Sequence, residues 1–271
     1  MANVDYSVRD GVAVLAFQLP PVNSLSHALR VALLAAVERA IADPAAGAMV
    51  LIGANGTFCA GADIKEFSGT GMWREPHILN VMAALDDSPK PVVAAIEGVA
   101  LGGGLELAMS CHYRVVLASA KLGLPEVKLG IMPGAGGTQR LPRLIGVEGA
   151  LNVMLSGEPL PAPLFAKSPL VDKLVEKDLL DAAVAFAKDA AAARKADPSK
   201  PLPRARDRRV KEPNLEALLQ FARNTARAAF KEYPAPIAII DAVQAAAKLP
   251  FDAGMAEERR LFEPLMASSV S

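Results

Sequence analysis

The sequence predicts an α/β core followed by a helical C-terminal part. Three observations lead there. Short apolar runs of strand length alternate with segments of helical period over the first half of the chain. Glycine and proline clusters punctuate the changes between them. After about Leu144 the strand pattern fades and Ala-rich helical stretches take over. The 271 residues suit one large domain, or a core with a small appendage. At 52% hydrophobic and 21% charged, the chain can bury a sizeable core, which excludes wholesale disorder.

Residues 6–9 and 12–18 read as two strands about the turn Asp10-Gly11. Pro20, Pro21 and Asn23 end that pattern. Residues 26–42 read as an amphipathic helix, with Ser26 as N-cap and Asp43-Pro44 as the stop. A buried-type strand follows at 49–53, then strands at 91–97 and 113–118 with a helix at 103–111 between them. A short apolar piece covers 122–124. Helices are expected at 149–155 and 177–196. Residues 197–213 hold Pro198, Pro201, Pro203 and Pro213, which cannot continue a helix, so this stretch is a linker. Its arginines 204, 206, 208 and 209, with Lys211, read as a solvated basic face, or as a dock for a phosphate or a partner domain. Three helices, 214–233, 236–248 and 252–266, complete the chain. The expected division is a core over 1–196, the linker over 197–213, and a helical region over 214–271 that covers the site or forms an interface.

Lys and Arg number 29, as do Asp and Glu, so no global field attracts nucleic acid or anionic membrane. Cys59 and Cys111 form no CxxC, and no basic-apolar leader opens the chain. The longest uncharged stretch, 44–62, is broken by Pro44 and several glycines, so it is no membrane span. These features set the expectation of a cytoplasmic protein. His27, His77 and His112 make no metal spacing, and neither GxSxG nor a Walker A is present. Gly134-x-Gly136 meets Gln139 where the dinucleotide fingerprint needs a third glycine, so nicotinamide binding there is not expected. Cys111 and His112 are adjacent and read as structural.

Two glycine-rich turns remain. The strand at 91–97 runs into Gly102, Gly103 and Gly104 at a helix start, where bare N–H groups can face a ligand or can serve close packing. Glu106 follows among Leu101, Leu105, Leu107 and Met109. From position alone it is either a buried carboxylate with a shifted pKa or a solvent-facing one. Glu126 sits in a second apolar setting after Pro125, with a surface position as the alternative. Two carboxylates in unlike environments equip a site to move a proton and a water. The other turn, Gly61-Ala62-Asp63-Ile64-Lys65, offers further N–H groups, with Asp63 as a helix cap and Lys65 as a phosphate contact or an exposed lysine.

The segments Phe58-Cys-Ala-Gly-Ala-Asp-Ile-Lys-Glu66, Ile96-Glu-Gly-Val-Ala-Leu-Gly-Gly-Gly-Leu-Glu106, Leu124-Pro-Glu126 and Pro133-Gly-Ala-Gly-Gly-Thr-Gln-Arg140 resemble the crotonase, or enoyl-CoA hydratase/isomerase, superfamily. The resemblance covers most of residues 1–175 and, more loosely, the C-terminal helices. It implies a ClpP-like spiral of β-β-α repeats. It also implies catalytic glutamates at Glu106 and Glu126 and an oxyanion hole at the N–H groups of Ala62 and Gly103. CoA and substrate contacts would fall at Gly61, Asp63, Ile64, Lys65 and Gly102, with Pro21 and Val22 as weaker ones. No metal and no separate cofactor is implied, since CoA arrives on the acyl-CoA thioester substrate. The implied reaction is addition of water to a 2-trans-enoyl-CoA. Δ3-Δ2 isomerisation and non-catalytic acyl-CoA binding are the alternatives, and a Clp-type serine peptidase lacks its Ser/His pair.

Ser110-Cys-His-Tyr-Arg114 and residues 251–262 resemble more closely the hydratase part of multifunctional β-oxidation enzymes, where a hydroxyacyl-CoA dehydrogenase follows. The chain then reads as an excised module or a standalone descendant. In that group the C-terminal helices fold back, so a monomer is expected, with a homotrimer or hexamer as the alternative. Lys167-Ser-Pro-Leu-Val-Asp172 departs from the family's Gly-Leu-Val-Asp turn at Pro169.

Overall fold

Alternate residues of a strand point to opposite faces of a sheet, and both faces of the main sheet are covered. The computed structural model describes residues 2–67, 71, 74–230 and 233–267. In it β1 (Asn3–Arg9) and β2 (Val12–Gln18) form an antiparallel hairpin. The sheet continues in parallel through β3 (Ala48–Gly53), β4 (Val92–Ile96), β6 (Tyr113–Leu117) and β9 (Lys173–Val175). Ala13, Leu15, Met49, Leu51, Ala94 and Ile96 face the main core. Their neighbours Val12, Val14, Val50, Val93 and Val115 face a smaller core closed by α5 (Leu179–Ala196), through Leu179, Ala183, Val184 and Ala187. Burial on both faces explains why the parallel strands read as continuous apolar runs.

A second, three-stranded sheet joins β5 (Val99–Leu101), β7 (Lys121–Gly123) and β8 (Leu160–Pro161). Strands this short carry little period, and β5 and β8 have no counterpart in the sequence reading. Helix α1 (His27–Ala42) starts as expected, with Ser26 Oγ accepting from Leu29 N–H. Helix α2 (Ile78–Asp86) was not expected; it is capped by the His77 ring, an uncommon cap, together with Asn80. Helix α3 (Gly103–Ser110) matches its expected span. Helix α4 (Gly137–Ser156) reaches back from the expected 149–155 to the glycine loop, with a break at Gly146, where φ is 80°.

The C-terminal helices α6 (Leu215–Phe230), α7 (Ala235–Lys248) and α8 (Phe251–Met266) fold back on the same chain. Leu219, Ala222, Ile239, Val243 and Phe262 share one hydrophobic cluster with Leu141, Leu144 and Leu151 of α4. Leu219, Ala222 and Ala226 of α6 are thereby buried against the same chain, and Leu215, Leu218 and Phe230 are partly buried beside them. Residues 231–232, the end of the expected 214–233 helix, lie outside the described residues.

The linker arginines divide. Arg208 and Arg209 are exposed, as a solvated face should be. Arg204 instead pairs with Asp87 and Asp207. Arg206 pairs with Asp252 and lies 4.9 Å from the centroid of the Phe251 ring. The linker is thus strapped to the body at two points. The Pro169 turn is also secured: buried Arg114 donates to the Cys111, Pro169 and Leu170 carbonyls and pairs with Asp172. Among the described residues no helix is long and apolar enough to cross a membrane.

Candidate active site

The glycine run after β5 turns the chain abruptly into α3. Gly102 has φ 51° and ψ −127°, and a Cβ there would lie 2.9 Å from Glu126 Oε1. Only glycine meets both demands. Gly103 is the first residue of α3, so its N–H has no carbonyl four residues back within the helix to bond. Gly104 packs its backbone on Cys59, and an added Cβ would lie 2.3 Å from the Cys59 carbonyl oxygen. Gly104→Ala is therefore expected to lower the melting temperature sharply. Unchanged thermal unfolding would show that this contact yields freely.

The loop after Phe58 lies alongside. Leu25 pairs with Ala62 as an isolated parallel bridge, and Leu25 N–H donates to the Gly61 carbonyl at 2.8 Å. In a parallel bridge of this register the bonds run to the residues flanking Ala62, which leaves the Ala62 N–H out of the pairing. A Cβ on Gly103 would lie 3.3 Å from that nitrogen, so the two N–H groups are close neighbours. Asp63 caps the next turn by accepting from Lys65 N–H at 3.1 Å. Glu66 then ties the loop to α1, accepting from His27 N–H and pairing with buried Arg30.

Ala62, Gly103, Glu106 and Glu126 line one cavity of about 140 Å³, with Ile131 and Phe262 among its apolar walls. Gly61, Asp63, Ile64 and Gly102 also line it. Lys65, Pro21 and Val22 are exposed and are not part of its wall; the Val22 carbonyl accepts from Ala60 N–H beside the loop.

The two glutamates differ in surroundings. Glu106 is 2% exposed, which excludes the solvent-facing alternative. Its Oε1 accepts from Ala135 N–H at 2.9 Å and Gly137 N–H at 2.7 Å. Burial raises its pKa, while those two donors and the Arg140 charge oppose the rise. Arg140 is held behind it by a buried pair with Asp86. Glu126 is half-buried as a residue, yet its Oε2 is shut off from solvent and has no hydrogen-bond partner among the described residues. Burial first, and the Glu106 charge second, push its carboxyl well above the ordinary range. The site therefore pairs a carboxyl that accepts two backbone N–H groups with one whose Oε2 has no partner among the described residues, and burial raises the pKa of both.

Cys111 and His112 stay out of this chemistry. Burial pushes the Cys111 thiol up to about 12 and the His112 ring down to about 4, and His112 Nδ1 accepts from Val92 N–H. The sequence reading missed Arg30, His77 and Phe262 in the cavity wall, and a further buried carboxylate, Glu258. For the last two a signal existed: Gly254, Glu258, Phe262 and Leu265 repeat at helical spacing and form the buried face of α8.

The pattern of the enoyl-CoA hydratase/isomerase family matches residues 7–263. The chain is similar to the peroxisomal bifunctional enzymes of Danio rerio, at 42% identity over 96% of this chain and 35% of that protein, and of Homo sapiens, at 37% over 96% and 35%. It thus spans about a third of the length of these relatives. Their peroxisomal names give the cytoplasmic expectation no support. Among solved structures, an enoyl-CoA hydratase subunit of Geobacillus kaustophilus aligns with TM-score 0.65 at 30% identity, over 98% of this chain and 90% of that one. An enoyl-CoA hydratase from Bacillus anthracis aligns with TM-score 0.65 at 29% identity, over 98% and 92%. The expected crotonase fold is thereby established, and with the family pattern running over residues 7–263 the chain belongs to the enoyl-CoA hydratase/isomerase family.

Proposed function

We propose that the chain hydrates a 2-trans-enoyl-CoA to the 3-hydroxyacyl-CoA, as a step of fatty-acid β-oxidation. The observation that carries this reading is the meeting of Glu106 and Glu126, unlike in hydrogen bonding, on one cavity that Ala62 and Gly103 also line. The thioester oxygen would accept from both N–H groups. They stabilise the negative charge that grows there as water adds, and one such donor is worth about 3–4 kcal/mol. Glu106 takes a proton from water held between the two carboxyls. The hydroxyl adds to Cβ, and Glu126 gives its proton to Cα. The pair recovers its starting state when the proton held by Glu106 is returned to Glu126. Gly61, Asp63 and Ile64 at the cavity wall, with Lys65, Pro21 and Val22 outside it, would meet the CoA portion.

Turnover of crotonyl-CoA, followed by loss of the enoyl-thioester absorbance, tests the reading. Conversion to 3-hydroxybutyryl-CoA is expected. Conversion of a 3-enoyl-CoA without hydration would establish the isomerase instead, and binding with no turnover of either would leave an acyl-CoA-binding module. The packing of Leu219, Ala222 and Ala226 of α6 on the same chain supports a monomer for the isolated chain. Light scattering at micromolar concentration is expected to give one chain mass; three or six times 28.3 kDa would overturn that expectation.

A further inference from the structure

Four consecutive N–H groups at the start of α4 are divided between two carboxylates. Ala135 and Gly137 donate to Glu106. Between and after them, Gly136 donates to Glu258 Oε1 at 2.8 Å and Thr138 to Glu258 Oε2 at 3.1 Å. The Thr138 hydroxyl also bonds Glu258 Oε2. The cap residue of α4 is Gly136, which has no side chain to satisfy the first turn. Glu106 and Glu258 supply that cap from opposite sides, one from α3 and one from α8.

Glu258 is 1% exposed and sits on the buried stripe of its helix with Phe262 and Leu265. An apolar residue would pack there at lower desolvation cost. Burial, then the Glu106 charge, push its pKa up to about 8. The Thr138 hydroxyl and the Gly136 and Thr138 N–H groups oppose that rise.

We infer that Glu258 is a positioning residue for Glu106: by holding the N–H groups of Gly136 and Thr138 it aims those of Ala135 and Gly137 at the Glu106 carboxylate. The inference rests on the hydratase reading for its kinetic consequence but not for its geometry. It is tested in the full chain with Glu258→Ala and Glu258→Gln, the second keeping a side-chain oxygen for Gly136. Glu258→Ala should lower kcat on crotonyl-CoA about 10–100-fold, as small misplacements near a reacting group do, with KM changed less than about 2-fold. Glu258→Gln should lose less. In a Glu106→Gln background the added loss should nearly vanish, because the two residues act as one unit.

Residue-resolved amide exchange gives a second readout, independent of turnover. The Ala135 and Gly137 amides, which do not touch Glu258, should exchange faster in Glu258→Ala. An unchanged kcat, the same fold-loss in both backgrounds, or loosening confined to α8 would overturn the inference. If Glu258→Ala does not fold, Glu258→Gln decides by the same readouts. A wild-type chain without hydratase turnover would refute the proposed reaction alone, and the exchange of Ala135 and Gly137 would still decide the role of Glu258.

Discussion

Glu106→Gln and Glu126→Gln should each cut hydration by at least ~10²-fold with the fold kept, the usual scale for loss of a general acid or base. Glu126→Gln carries a second expectation, of opposite sign. The wild-type carboxyl binds its proton more tightly in the folded chain than in the unfolded one. Its contribution to stability is therefore full below the unfolded value, about 4.3, and is lost as pH rises through the folded value. The variant has no such loss. Its melting temperature at pH 7 should be no lower than that of the wild type, and the gap between the two should widen from pH 5 to pH 8. A gap that stays constant from pH 5 to pH 8 would mean that Glu126 is already ionised in the folded chain at pH 5. Near-wild-type turnover in either folded variant would remove that residue from the mechanism.

The second large effect is expected at Gly103. Its added Cβ would lie 3.3 Å from Ala62 N and 3.3 Å from Ile78 Cδ1, so a valine there must crowd the Ala62 nitrogen and the Ile78 side chain. Gly103→Val should abolish detectable acyl-CoA turnover while Glu106 and Glu126 remain. Steady-state kinetics, alongside thermal unfolding to confirm folding, check it. Unchanged kinetics would show that the glycine run serves packing only.

That Ala62, Gly103, Glu106 and Glu126 line one cavity agrees with the two glycine-rich turns and two carboxylates singled out in the sequence. Gly102, Gly103 and Glu106 lie within five positions, but position alone left Glu106 buried or solvent-facing, and its 2% exposure decides. The parallel strands were legible because both their faces are buried. What escaped was held by contacts distant in sequence or by very short elements. Strand β5 has three residues, too few for a period. Helix α2 begins at a histidine cap, which no common start pattern contains. Glu258 lies over a hundred residues from the backbone it grips. The start of α4 read as a loop because three of its early features are unfavourable to helix: Gly136, Gly137 and Pro142. Its first turn is secured instead by carboxylates from α3 and α8.

That last feature bears on when the protein can begin to work during its synthesis. The core sheet, both glycine turns, Glu106 and Glu126 precede α8 in the chain. The cavity wall at Phe262 and the Glu258 grip on Gly136 and Thr138 are contributed only by α8. At a translation rate of about 5–20 residues per second, the stretch from Glu126 to Phe262 takes roughly 7–27 s to make. A nascent chain in that interval holds Glu106 and Glu126 without the closed pocket. Activity should therefore appear on the ribosome only after α8 has cleared the exit tunnel, as a late step rather than a gradual gain.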